Sequence, residues 1–238
     1  MTGSGTKVLS ALALTACVVL LAIPARAASH AIQIRYWPSS TTGTYGSFVI
    51  PYNTSFTGFS VRSNVRGDAW AVSFNFDRGP SDFPGLGPGQ YTQTWNLNIH
   101  RQFPLPAGMV GVYVGWSALA FEAPNNSPAP LHQRQQSLQF GLDGRVNLRR
   151  GWYITADVAL RPGAMAEFNN TFVPGLSYVQ TESFETRLGL GRRSGPWQGE
   201  IGYRWLTWSY APGPSTCSAA PCADRWEGWF AAVNFILP

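Results

Sequence analysis

Between Gln135 and Arg161 apolar and polar residues alternate in two runs joined by a short basic turn. In the first run Leu138, Phe140, Leu142 and Val146 alternate with Ser137, Gln139, Gly141, Asp143 and Arg145. In the second, Trp152, Ile154, Ala156, Val158 and Leu160 alternate with Tyr153, Thr155, Asp157, Ala159 and Arg161. Period-two alternation of this length is the signature of a strand with two unlike faces. The turn at Arg149-Arg150-Gly151 is too short for a crossover, so the two strands are antiparallel.

The same unit recurs along the chain. Ile32, Ile34 and Tyr36 share one face, and Pro38 opens a Ser/Thr/Gly-rich stretch, expected to be a loop, that runs to about Thr57. Phe59, Val61 and Val65 precede a turn at Arg66-Gly67-Asp68, followed by Trp70, Val72, Phe74 and Phe76. Gly79 to Gly89 reads as loop. Trp95, Leu97 and Ile99 then lead through Pro104 and Pro106 to Val110, Val112, Val114 and Trp116. Past the central hairpin, Pro162 to Val179 is expected to be irregular. Thr186, Leu188 and Leu190 turn at Arg192 to Pro196 into Trp197, Ile201, Tyr203 and Trp205. There the alternation fails, because Leu206 and Trp208 are apolar on the polar face. A bulge, or a strand rising above the bilayer, would explain the change. After a loop from Pro212 to Asp224, Trp229, Ala231, Val233 and Phe235 share a face.

About ten strands follow from this pattern, eight being the alternative, and the connections alternate long and short. Long connections on one end and tight turns on the other predict an all-β, closed antiparallel transmembrane barrel. A soluble lipocalin-like barrel would put the apolar face inside, and a membrane barrel puts it outside. Trp70, Trp152 and Trp197 each open a strand directly after a short turn, as an interfacial girdle would. The polar face carries Gly111, Gly115, Gly141, Gly189, Gly191 and Gly202 among its charges, poor filler for a solvated surface but room for arginine side chains in a confined interior. Closure also satisfies every backbone group, which hydrocarbon demands.

Composition changes the picture mainly at the N-terminus. Lys7 precedes the apolar run Val8 to Ile23, and Ala25-Arg26-Ala27 follows Pro24, which predicts a secretory signal at 1–27 cleaved before Ala28. Residues 28–238 then form a single barrel domain. A retained helix and a lipoprotein box at Leu14-Thr15-Ala16-Cys17 are the other readings, although the apolar run continues past Cys17. Without Lys7 and Arg26, the 17 basic residues fall to 15 against 12 acids, a net charge of +3 with no lysine left. No clustered basic face emerges, so a nucleic-acid partner is not expected.

Taken together, the signal, the alternating strands and the loop rhythm resemble the small outer-membrane β-barrel proteins of diderm bacteria. The resemblance implies a place in the outer membrane, contact with its lipid, and delivery by the barrel assembly machinery. In that family the last strand commonly ends on an aromatic residue. Here Phe235 is followed by Ile236-Leu237-Pro238. A pore, a structural or adhesive role with a ligand at the outer loops, and a hydrolase all fit such a barrel, and the oligomeric state is open.

The interior face is expected to hold Arg35, Arg62, Arg145, Arg161, Arg187 and Arg204, with Asp77, Asp143, Asp157, Glu185 and Glu200. Charges confined in this way must be paired. Pairing outward from the Arg192–Pro196 turn puts Glu185 beside Arg204 and Arg187 opposite Gly202, reaching diagonally to Glu200. A protease would need acid and His groups at the outer rim, for which Asp77, Glu182 and His132 are candidates. A lipid-modifying enzyme would need a Ser/His pair such as Ser137 with His132. No phosphate loop, zinc spacing or dinucleotide fingerprint calls for a cofactor or metal. Cys217 and Cys222, close together in one loop, predict a local disulfide.

Overall fold

The computed structural model describes residues 30–45, 48–65, 69–123, 131–170, 173–210 and 222–237. Ten strands follow in chain order: β1 (His30–Tyr45), β2 (Phe48–Val65), β3 (Trp70–Pro80), β4 (Tyr91–Leu105), β5 (Gly108–Glu122), β6 (Leu131–Asn147), β7 (Trp152–Asn170), β8 (Val173–Ser194), β9 (Trp197–Tyr210) and β10 (Cys222–Leu237). Each pairs antiparallel with its sequence neighbours, and β1 pairs with β10, from His30↔Leu237 to Tyr45↔Cys222, to close the barrel.

The closed form follows from the two faces of each strand. Apolar side chains at alternate positions lie outside, among them Ile34 at 65% exposed, Leu142 at 56% and Val233 at 52%. Their polar neighbours Gln33, Arg35, Asn98, Gln139 and Arg204 are buried inside. This is the distribution of a barrel in hydrocarbon, where the apolar face needs no protein cover and every backbone group must be paired. Trp70, Trp152 and Trp197 stand exposed at the short-turn end. Arg101 stacks on Trp70 at 5.1 Å and Arg192 on Trp152 at 5.7 Å, which places cations at that interface. Toward the other end the outward apolar series stops at Tyr36 on β1, Phe59 on β2, Trp205 on β9 and Trp229 on β10, beyond which Thr57, Thr207 and Glu227 face outward.

About 9–11 tilted residues cross a bilayer, yet β2 has 18, β7 has 19 and β8 has 22. The excess lies where loops were expected. Pro38 to Thr57 is strand on both sides of 46–47, with Trp37↔Phe56 and Thr41↔Tyr52 in register. Pro162 to Val179 is also strand on both sides of 171–172. The barrel wall therefore continues past the membrane as paired sheet. The β-branched threonines suit strands, and Pro38 sits where β1 loses its pairing to β10 between Tyr36↔Ala231 and Ser40↔Glu227, so its missing N–H costs no ladder bond on that side. The turn at Arg66-Gly67-Asp68 and most of the last loop, including Cys217, fall outside the described residues, as do residues 1–29.

Beyond Trp205 there is no bulge, and the strand simply rises past the apolar belt. The β8–β9 register runs unbroken from Ser194↔Trp197 to Thr181↔Tyr210. Leu206 and Trp208 keep the inward face and are buried with Trp37, Phe56, Leu119, Trp226 and Phe230 in a cluster inside the barrel. The change from polar to apolar on that face marks a change in what fills the interior.

Candidate functional site

The interior is stratified. At the loop end lies the Trp37–Trp208–Trp226 cluster. Beneath it, at the depth where the outward aromatic residues stop, a row of ion pairs crosses the lumen. Arg35 on β1 donates Nη2 to Asp77 on β3 at 2.7 Å, and Arg204 on β9 donates Nη1 to the other oxygen of Asp77 at 2.9 Å. Arg204 also meets Glu185 on β8 at 2.8 Å, and Arg161 on β7 meets Glu185 at 2.5 Å. Arg161 continues to Ser117 and Gln139 through Nε, at 2.8 and 2.9 Å. Signs alternate along the row, so each carboxylate is held by two guanidinium groups, the arrangement that makes buried charge tolerable. The two upper layers are joined, since Arg204 stacks on Trp37 at 4.2 Å.

Below the row lies a polar cavity of about 300 Å³, lined by Arg62, Ser73, His100, Tyr113, Asp143 and Glu200 among others. It reaches His30, Asn64, Met109 and Asn234, all at the short-turn end. Here Arg62 donates Nη1 to Asp143 Oδ2 at 2.7 Å, and His100 Nδ1 lies 3.3 Å from Asp143 Oδ1. The other ring nitrogen, Nε2, is 2.8 Å from Ser73 Oγ. Tyr113 packs on the His100 ring at 4.9 Å and donates its hydroxyl to Asp157 at 3.2 Å. Thr155 donates to Glu200 at 2.8 Å, and Arg145 stacks on Tyr153 at 3.8 Å while donating to Gln198.

All of the charged residues expected inside do face the lumen, on seven of the strands. They are divided between the row and the cavity. Arg187 lines the cavity near Glu200 and Asp157, with its Nε buried and without a hydrogen-bond partner. The expected register of the β8–β9 hairpin is off by two residues. Arg187 stands opposite Arg204, and Glu185 opposite Leu206, because the turn is confined to Gly195-Pro196. Glu185 still reaches Arg204, diagonally, but Arg187 and Glu200 are not in contact with that pair. The interior glycines make room chiefly for groups other than arginine. A Cβ at Gly189 would fall 2.3 Å from Glu200 Oε1, and one at Gly141 would fall 2.1 Å from the Tyr113 ring.

The proposed rim acids do not meet. Asp77 lies within the ion-pair row, and Glu182 faces outward and is exposed. The side chain of His132 is outside the described residues. Sequence reasoning singled out neither Ser73 nor His100 as part of a site. Their signal was parity, since both occupy inward positions of adjacent strands, but nothing local ties them to Asp143, 43 residues beyond His100. Among the described residues no group of His, Cys, Asp and Glu is arranged to hold a metal ion.

No protein family and no curated protein matches the chain. Solved structures do. The outer membrane protease OmpT from Escherichia coli superposes with a TM-score of 0.59 at 11% identity, over 89% of this chain and 97% of that one. Looser likenesses are the β-domain of the Bordetella autotransporter BrkA (TM-score 0.47, 10% identity, 89% of this chain and 99% of that one) and the translocator domain of the autotransporter NalP from Neisseria meningitidis (0.45, 10%, 97% and 95%). At these identities the likeness is one of fold: the chain has the closed-barrel architecture of outer-membrane proteins.

Proposed function

We propose that the protein is a barrel of the bacterial outer membrane that is closed to diffusion and serves a structural or adhesive role at the cell surface. The observation that carries this reading is the depth of burial across the lumen. Arg35, Asp77, Arg161 and Arg204 are each at most 4% exposed, and Trp37, Trp208 and Trp226 above them at most 2%. Side chains that line an open channel are wetted, and these are not. The apolar belt supports contact with membrane lipid. The N-terminal segment supports export through a cleaved signal, and delivery by the assembly machinery follows from that route. The sheet that continues past the outer aromatic residues is the surface on which an extracellular ligand would bind.

Planar-bilayer recording of refolded protein tests the closed lumen. Insertion without conductance steps is the expected result. Steady, stepwise ionic conductance from the wild-type barrel would overturn it and favour a solute pore.

A further inference from the structure

We propose that the lumen cavity holds a serine hydrolase site in which Ser73 is the nucleophile, His100 the general base and Asp143 the residue that positions the base. The assignment begins with the hydrogen bonds. An ionised carboxylate only accepts, so the Asp143 contact fixes the proton on His100 Nδ1. With the imidazole's single proton there, Nε2 presents a lone pair, and in the proposed site the 2.8 Å contact is Ser73 Oγ donating to it. That is the order of roles in a Ser-His-Asp relay, recognised by geometry wherever the residues fall in sequence. The 3.3 Å Asp143–His100 distance is in the looser range usual before substrate binds.

Several neighbours serve this arrangement. Asp143 is on β6 and His100 on β4, so the carboxylate must reach across β5. The residue opposite Asp143 on β5 is Gly111, where a Cβ would fall 2.3 Å from Asp143 Oδ1. Arg62 holds the second carboxylate oxygen at 2.7 Å. The Tyr113 ring fixes the plane of the imidazole. In register, Arg62, Ser73 and Asn98 stand side by side on β2, β3 and β4. The Asn98 carbonyl accepts from Gln139 at 2.7 Å, which leaves its amide N–H₂ as a donor beside the nucleophile. Asn98 and Arg62 thus flank Ser73 where negative charge would develop on a substrate oxygen.

The chemistry balances without any further reactant but water. Ser73 Oγ bonds to an ester carbonyl carbon as its proton passes to His100 Nε2. The C–O bond to the alcohol breaks, and the alcohol leaves with that proton. Water, deprotonated by His100, then adds to the acyl carbon, the Ser73 ester bond breaks as His100 Nε2 returns that proton to Oγ, and the carboxylic acid departs. The substrate class follows from the lining. Asn75, Asn96, Asn98 and Gln139 surround the site, and the interior apolar cluster lies beyond the ion-pair row. A long acyl chain has no place to lie. The site fits a short-chain ester, such as an acetyl ester of a polar solute, entering from the short-turn end.

The test uses refolded full-length protein in detergent, with p-nitrophenyl acetate and palmitate as substrates and diisopropyl fluorophosphate as the label. Acetate should be cleaved and palmitate not, with the phosphoryl group found by mass spectrometry on the Ser73 peptide. Ser73→Ala should abolish labelling at that peptide, and His100→Gln should lower kcat roughly 10²–10⁴-fold. Asp143→Asn should lower kcat with little change in KM, a split that mere loosening of the barrel would not give. Should any variant fail to show the heat-dependent gel shift of a folded barrel, labelling of wild-type protein decides alone. A wild-type Ser73 that takes no label, or no more than Ser60 in the same cavity, overturns the proposal. Faster cleavage of palmitate overturns the substrate class.

Discussion

Asp77 on β3 and Arg204 on β9 lie 127 residues apart and meet at 2.9 Å inside the barrel. Neither strand touches the other, so this ion pair spans the lumen instead of following the wall. Asp77 also holds Arg35, and its removal would leave two buried cations facing one another. Loss of one partner from a buried pair costs about 3–5 kcal/mol. Asp77→Asn should therefore lower the urea midpoint more than Arg204→Gln, and Asp77→Asn combined with Arg35→Gln should recover part of the loss. Unfolding in lipid vesicles followed by tryptophan fluorescence gives these midpoints, with Arg35→Gln alone completing the cycle. Strictly additive losses would show that the groups do not interact.

The outward face gives a sharper contrast. Leu142 is exposed in mid-strand on β6, and the inward Ser137 on the same strand is buried. A cation on the lipid face near the midplane costs about 2–4 kcal/mol. Leu142→Arg should fail to fold into vesicles, whereas Ser137→Asn should fold with near wild-type yield. Equal yields would mean that the two faces have been exchanged.

Much of the fold was readable because a barrel strand states its two faces residue by residue. Leu138, Phe140 and Leu142 against Gln139, Gly141 and Asp143 leave no other regular structure. The extension past the membrane was not readable in this way. Above Tyr36 and Phe59 both faces of the wall meet water or a filled interior, so Ser39 to Tyr45 loses its contrast and looks like loop. Leu206 and Trp208 were ambiguous for a related reason, because the interior itself becomes apolar there. The site was harder still. Ser73, His100 and Asp143 come from three strands, and their meeting depends on curvature and on a missing side chain at Gly111, which no local spacing encodes.

The proposed place in the outer membrane puts the extended end of the barrel outside the cell. Val49, on the β1–β2 extension, is 64% exposed. In intact cells a Val49→Cys variant should react with a membrane-impermeant maleimide, and wild-type protein should not. Labelling only after the cells are broken would reverse the orientation.

Cys222 opens β10 and is buried. A Cys217–Cys222 disulfide is the expected state of exported protein. Intact-mass analysis should find the unreduced chain two protons lighter than the dithiol. Reduction should shift the unfolding midpoint little, because so short a loop restrains little chain entropy.

Two glycines separate close approach from mere smallness. Gly58 on β2 stands between Arg35 on β1 and Asp77 on β3, opposite both in register. Arg35 and Asp77 meet above it, and a Cβ there would fall 1.9 Å from Asp77 Oδ1 and 2.5 Å from the Phe76 carbonyl oxygen. One of those neighbours is backbone, so a rotamer change alone cannot relieve the clash. Gly199 on β9 faces outward with nothing within 4 Å of the same added atom. Gly199→Ala should be neutral or stabilising by about 0.4–1 kcal/mol through the unfolded chain. Gly58→Ala should cost about 3–5 kcal/mol, the scale of a broken buried pair. The effect should shrink in an Asp77→Asn background, because the pair that the methyl group displaces is then gone. A Gly58→Ala loss of the same size in the wild-type and Asp77→Asn backgrounds would show that the strand, and not the ion pair above it, is what the glycine protects.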